Sequence, residues 1–244
     1  MDGSVCTVDG ESVAPLFAAG NAMAGPTGMV DGGGGRHTRS RARVRKPRRA
    51  RGGFGRQAMT ETLEQRIQRI EDRTAIQDLA VLYGYIMDER DEDGIRKLFC
   101  EGGTLRSADG VFAANGIDEI VTTYLGRFKA LGPTNHFTHG HVVRFDDNDP
   151  DVAHGQLASH AEVVRDGKAM VVALRYQDVY RRTSTGWRFA DRLMSYMYYT
   201  EVTEYANVLG KELRVRAYGD ERPGDWPELL TKGRPPTWLK DYLP

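Results

Sequence analysis

The stretch 178–199, DVYRRTSTGWRFADRLMSYMYY, decides the fold. Two runs of alternating character flank TSTG. Successive side chains of a strand point to opposite faces, so the stretch reads as two long strands joined by a tight turn. Working back along the chain, RDGK (165–168) is a second turn and DDNDPD (146–151) a longer connection. Four strands are expected, at 135–146, 152–164, 168–182 and 187–199, forming an antiparallel meander.

Upstream the period changes. Leu63, Ile67, Ile70, Ile76, Leu79, Tyr83 and Ile86 recur mainly at steps of three and four, which predicts one long or broken helix with Thr60 or Thr62 at its cap. DEDGIRKLFC (91–100) reads as a short helix with Ile95, Leu98 and Phe99 inward. Asp109-Gly110 marks the turn of a small hairpin, and Ile117, Ile120, Tyr124 and Phe128 share one face of a third helix over 117–131. Helices followed by a meander make an α+β fold. The tail, 201–244, is punctuated by Pro, Gly and Trp, and PPTWLKDYLP is expected to pack as a short C-terminal arm.

Residues 1–58 differ in composition. They hold twelve glycines, ten of the 34 Lys/Arg and four of the 34 Asp/Glu, which leaves 24 basic and 30 acidic residues in 59–244, a net charge of −6. The leader is expected to be disordered. The body offers no broad basic surface for nucleic acid and no apolar run long enough to span a membrane. Two cysteines, Cys6 and Cys100, form no disulfide framework and fit a reducing, cytoplasmic setting. Within the leader, LFAAGN (16–21) running into a Gly-rich turn resembles the C-terminal flavin-contacting segment of fumarate reductase and 3-ketosteroid dehydrogenase flavoproteins, over residues 7–35. No nucleotide-binding domain accompanies it, so no flavin is expected. The switch from this segment to RHTRSRARVRKPRRARGGFGR (36–56) predicts a fusion remnant or an early start, with Met59 the natural first residue.

NHFTHGHVVRF (135–145) carries three histidines. Strict alternation puts His136 on one face with Thr138 and Gly140, and His139 and His141 on the other. Unless a bulge intervenes, the three cannot converge on one metal, and no partner set at zinc-like spacing accompanies them. Asp88 ends a strongly apolar helix, five residues after Tyr83.

RTAIQDLAVLYGYIMDERD, HFTHGHVVRF and DVYRRTSTGWRFADRLMSYMYY together resemble the SnoaL-like, nuclear transport factor 2-like superfamily, whose fold is a cone-shaped curved sheet wrapped by helices. The resemblance covers about 63–200 and is closest to the branch of hexachlorocyclohexane dehydrochlorinase, bile-acid 7α-dehydratase and scytalone dehydratase. It implies that Asp88 and His136 form a catalytic dyad, that Arg192 is a pocket arginine and that Tyr83 is an active-site donor. It also implies a homotrimer. Ser159, with His160 beside it, departs from the aspartate that the bile-acid enzyme carries at that position.

A histidine held by a carboxylate is a base suited to neutral pH. Tyr83 and Arg192 then supply hydrogen bonding or charge where negative charge develops. That chemistry needs no metal or organic cofactor. Alternation adds Leu157 and Ser159, Leu174 and Tyr176, and Met194, Tyr196 and Tyr198 on the Arg192 face, as the lining for a ring-shaped hydrophobic substrate. Trp187 and Phe189 fall on the opposite face, toward helices or a neighbouring subunit. The expected activity is a dehydratase-like 1,2-elimination on a polycyclic or steroid-like substrate. An isomerase or cyclase using the same base, and a non-catalytic ligand-binding or assembly protein, remain alternatives.

Overall fold

The computed structural model describes residues 61–243. The calls on the leader, on its flavoprotein-like segment and on Met59 lie outside these residues. Helix α1 (Leu63–Glu89) opens with a capping box, in which the Thr62 hydroxyl accepts from the Gln65 amide and Gln65 returns to the Thr62 amide. Helix α2 (Glu92–Leu98) is capped by Asp91. It is shorter than its sequence pattern because Phe99 already begins strand β1 (Phe99–Ser107). The expected hairpin follows as β1 and β2 (Ala113–Asn115), and then comes α3 (Ile117–Phe128).

The four long strands are β3 (Leu131–Phe145), β4 (Val152–Arg165), β5 (Lys168–Thr183) and β6 (Gly186–Glu201). Both central residues of the RDGK turn, Asp166 and Gly167, have positive φ, the geometry whose twist suits a two-residue hairpin. The six strands form one curved, unclosed sheet in the order β2-β1-β6-β5-β4-β3. Every pairing is antiparallel except β1 with β6. That parallel pair is a long-range contact that no local pattern in the chain announces.

Helices α1 and α3 cover one face of the sheet, called inner below. Ile76, Leu79, Ala80, Tyr83 and Met87 of α1 are buried against it, each large apolar side chain contributing roughly 1.5–3 kcal/mol. The first turns differ from the sequence expectation, since Leu63, Ile67 and Ile70 are exposed. The buried stripe starts instead at Asp72, whose carboxylate accepts from Arg182 of β5 (2.6 Å) and from the Trp187 indole of β6 (3.1 Å), pinning the helix to the sheet.

Bulges reassign the faces. Between Thr138 and His141, β3 advances three residues while β4 advances two. One extra residue inverts everything beyond it, so His141 joins His136 on the inner face and His139 stays outside, hydrogen-bonded to His160 (2.9 Å). In β6 the same happens between Phe189 and Asp191, and again between Tyr196 and Tyr198. Trp187 and Phe189 are therefore buried in the inner core with Arg192, rather than on the face opposite to it. Tyr198 turns away to pack with Ala173 and Val208, and Tyr199 takes the inner position.

Beyond β6 come α4 (Tyr205–Val208), a hairpin of β7 (Leu213–Val215) and β8 (Glu221–Pro223), and α5 (Glu228–Lys232). This tail stabilises the second β6 bulge. The Asp225 amide donates to the Tyr196 carbonyl (2.8 Å), and its carboxylate accepts from the Tyr196 amide (2.7 Å). Trp226 lies under the Arg175 guanidinium at 4.0 Å. Trp238, in the predicted arm, donates to Glu228 at 3.0 Å. No helix among the described residues is long and apolar enough to cross a membrane.

Candidate active site

Asp88 lies in the last turn of α1 and His136 in the first half of β3, brought together because α1 packs along that strand. The His136 Nδ1–Asp88 Oδ1 distance is 2.6 Å. Asp88 also accepts from the His136 amide (2.9 Å, Oδ2) and from the Thr134 hydroxyl (2.7 Å, Oδ1). Burial pushes the Asp88 carboxyl up, but hydrogen bonds from His136 and Thr134 outweigh it and hold the group below its ordinary value. A carboxylate at Nδ1 selects the tautomer that leaves the Nε2 lone pair free. Arg90, past the helix end, braces the arrangement by donating to Thr134 (3.1 Å) and to the Gly132 carbonyl (2.6 Å).

Gly84 allows the close approach of helix and strand, because a Cβ there would stand 3.1 Å from the His136 Cβ. Gly84→Ala is expected to keep the fold, since alanine favours a helix by up to about 1 kcal/mol, while displacing His136. Turnover should fall severalfold with little change in denaturation midpoint. A variant whose activity is unchanged would show that this spacing is not critical.

His136 faces a cavity of about 50 Å³ lined by Tyr83, Met87, Tyr124, Arg127, Leu174, Tyr176, Met194, Tyr196 and Tyr199, among others. Of the residues singled out in the sequence, His136, Tyr83, Leu174, Tyr176, Met194 and Tyr196 line it, with Asp88 behind His136. The Tyr83 and Tyr124 hydroxyls are 2.9 Å apart, and the Tyr83 ring meets His136 edge-on.

Three residues are placed elsewhere. Arg192 does not reach the cavity. Its guanidinium, fully buried, makes a bidentate pair with Asp178 (2.9 and 2.8 Å) directly across on β5 and lies about 4 Å from the Tyr83, Tyr176 and Phe189 rings. Burial works against this charge and Asp178 more than restores it. The acid was visible in sequence, since Asp178 shares the inward parity of Leu174 and Tyr176. Ser159 is turned to its own sheet, donating to the Phe137 carbonyl at 2.8 Å. Leu157 packs in the core away from the cavity. Conversely, sequence reasoning passed over Thr134, Tyr124 as a site residue, and Arg127. Arg127 had a signal, because it follows Ile120 and Tyr124 along the inward stripe of α3.

His141, also on the inner face, is placed differently from His136. Tyr180 spends its hydrogen on Asp178 (2.8 Å), so the contact of Tyr180 with His141 Nε2 (3.1 Å) has His141 donating. His141 Nδ1 is buried without a partner. Burial lowers its pKa to about 4. An unfolded histidine titrates near 6.5, so the unfolded chain binds the extra proton first as pH falls. The neutral ring's contribution is fully present above about 6.5 and lost between there and about 4, by ~3 kcal/mol at most. Denaturant midpoints at pH 7 and pH 5 should therefore differ less in His141→Gln than in the parent, and equal slopes would refute this assignment. Among the described residues, no three His, Cys, Asp or Glu side chains gather to hold a metal.

Residues 68–193 match the SnoaL-like domain family, and the chain belongs to it. No curated protein matches the chain. Among solved structures, it is similar to a protein provisionally described as an aromatic ring hydroxylase from Novosphingobium aromaticivorans, with 27% identity and TM-score 0.50, over 57% of this chain and 98% of that one. It is also similar to hexachlorocyclohexane dehydrochlorinase LinA-type3 from Novosphingobium barchaimii LL02 (18% identity, TM-score 0.50, 56% and 94% of the two chains). A protein provisionally described as scytalone dehydratase from Novosphingobium aromaticivorans DSM 12444 gives 19% identity, TM-score 0.51 and coverage of 56% and 91%. At the last two identities the likeness is one of fold.

Proposed function

We propose that the protein is a cofactor-independent lyase in which His136, oriented by Asp88, removes a proton next to a leaving group on a hydrophobic ring substrate. The observation that carries this reading is the 2.6 Å dyad at the wall of an aromatic cavity. A carboxylate on Nδ1 stabilises the imidazolium formed when Nε2 takes the proton. The electron pair left on carbon expels the leaving group as a double bond forms. The Tyr83–Tyr124 hydroxyl pair, carried in part by the Tyr83 ring that meets His136 edge-on, donates toward the negative charge that develops. Fold kinship with a dehydrochlorinase is consistent with this chemistry.

The same hydroxyl pair suits an enolate, which favours an isomerase as the second reading. A ligand pocket for a drug-sized molecule holds about 300–1,000 Å³, so the cavity of about 50 Å³ must widen to take a polycyclic ring. Its lining includes Arg90, stacked at 4.4 Å over Phe128. The test is to incubate the full chain with hydroxylated and halogenated ring compounds in deuterated water and follow mass. Loss of water or hydrogen halide supports elimination. Deuterium uptake without loss favours isomerisation. An unchanged panel overturns both.

A further inference from the structure

Arg127 projects from α3 into the cavity wall, yet no carboxylate pairs with it among the described residues. Its partners are weak: the Tyr196 hydroxyl at 3.4 Å, the Met194 sulfur at 3.8 Å and the Phe112 ring at 5.0 Å. The two fully buried arginines are neutralised, Arg192 by Asp178 and Arg216 by Asp109 and Asp225, whereas Arg127 is half-buried. A guanidinium partly withdrawn from water and facing a cavity is stabilised by an anion. A second, independent observation comes from the lining of the same cavity. Tyr176 also lines the cavity, and its buried hydroxyl has no hydrogen-bond partner. An orphaned hydroxyl in a native cavity needs an account, and an oxygen-bearing ligand gives one.

We propose that Arg127, with the hydroxyls of Tyr176 and Tyr196, is the receptor for a carboxylate, so that the ligand of this cavity is a hydrophobic ring compound bearing an acid group. The inference rests on the cavity being the substrate site. A guanidinium presents two parallel N–H donors to the two oxygens of a carboxylate, the geometry in which arginine binds acids best. The Tyr196 end of the receptor lies away from the base. Thr138, two residues past His136, pairs through Ser159 and Leu174 to Tyr196, three strands away, or about 14 Å along the sheet. The carboxylate is thus a handle at the far end of the ring from the reacting carbon. It adds binding in ground state and transition state alike, raising affinity rather than kcat.

The test is calorimetric titration of the full chain with 2-naphthoate and with methyl 2-naphthoate. The parent protein and His136→Ala should both bind the acid at least about tenfold more tightly than the ester. Arg127→Met should erase that preference while keeping ester affinity, and Arg127→Lys should retain part of it. Circular dichroism checks the fold, and Arg127→Gln replaces the methionine variant if that one does not fold. Equal affinities in the parent, no binding of the acid, or a preference that survives both neutral variants overturns the proposal. On a turned-over acid substrate, Arg127→Lys should raise KM and leave kcat near the parent value. Acid preference is read in His136→Ala, which has no base, so a failed elimination screen and a failed receptor give different results.

Discussion

Asp178→Asn is expected to cost about 3–5 kcal/mol of folding stability, a large part of what holds a domain of this size. The substitution preserves shape and removes charge. It leaves Arg192, fully buried and held only by rings and Asp178, as an uncompensated cation. Tyr180 loses a charged acceptor at the same time. Replacing both members of the pair should do much less harm, because the double variant Asp178→Leu/Arg192→Met removes the need for compensation. Urea denaturation of the parent, the single and the double variant checks this. A single variant within 1 kcal/mol of the parent would mean that Arg192 finds another partner. The result also separates two roles for Arg192: a substrate-binding arginine would lose affinity on substitution, whereas a core arginine loses stability.

His136→Ala is expected to lower kcat on a confirmed substrate by about 10³-fold or more, as loss of a general base and its orientation does. Asp88→Asn should fall by roughly 10²–10³-fold, because an amide neither fixes the tautomer nor stabilises the imidazolium. Stability should change little in the first. It should drop about 1–3 kcal/mol in the second, since the Asp88 carboxylate also joins α1 to β3 through Thr134 and the His136 amide. Steady-state kinetics beside a denaturation curve separates the two effects. A folded His136→Ala that turns over at the parent rate would rule the dyad out as the catalytic base.

The four long strands and their turns were legible because period-two alternation and turn residues are local properties. The start of α2 was legible from its acidic N-terminal residues, and the pairing of His136 with Asp88, almost fifty residues apart, from a family resemblance. The misassigned strand facings share one cause. Counting faces by parity assumes an uninterrupted pleat, and β3 and β6 contain extra residues. A glycine at 140 hints at the first bulge, but Ala190 and Met197 mark the β6 bulges with nothing a reader of sequence would notice. Past each bulge every facing inverted, which moved His141, Trp187, Phe189 and Tyr198 to the side opposite the one expected.

The sequence by itself determined the order of helices and strands, the turns between them and the chemical types available, because these follow from nearest-neighbour sterics and the period of apolar residues. Only the tertiary structure decided which side chains share the cavity. It sent Arg192 to Asp178, left Arg127 without a counter-charge, and set Tyr199 rather than Tyr198 beside Tyr196. The physical reason is that a cross-strand ion pair, a bulge and a helix laid across a sheet are long-range pairings. Their energies depend on which distant residue arrives, and that information is not carried by either partner alone.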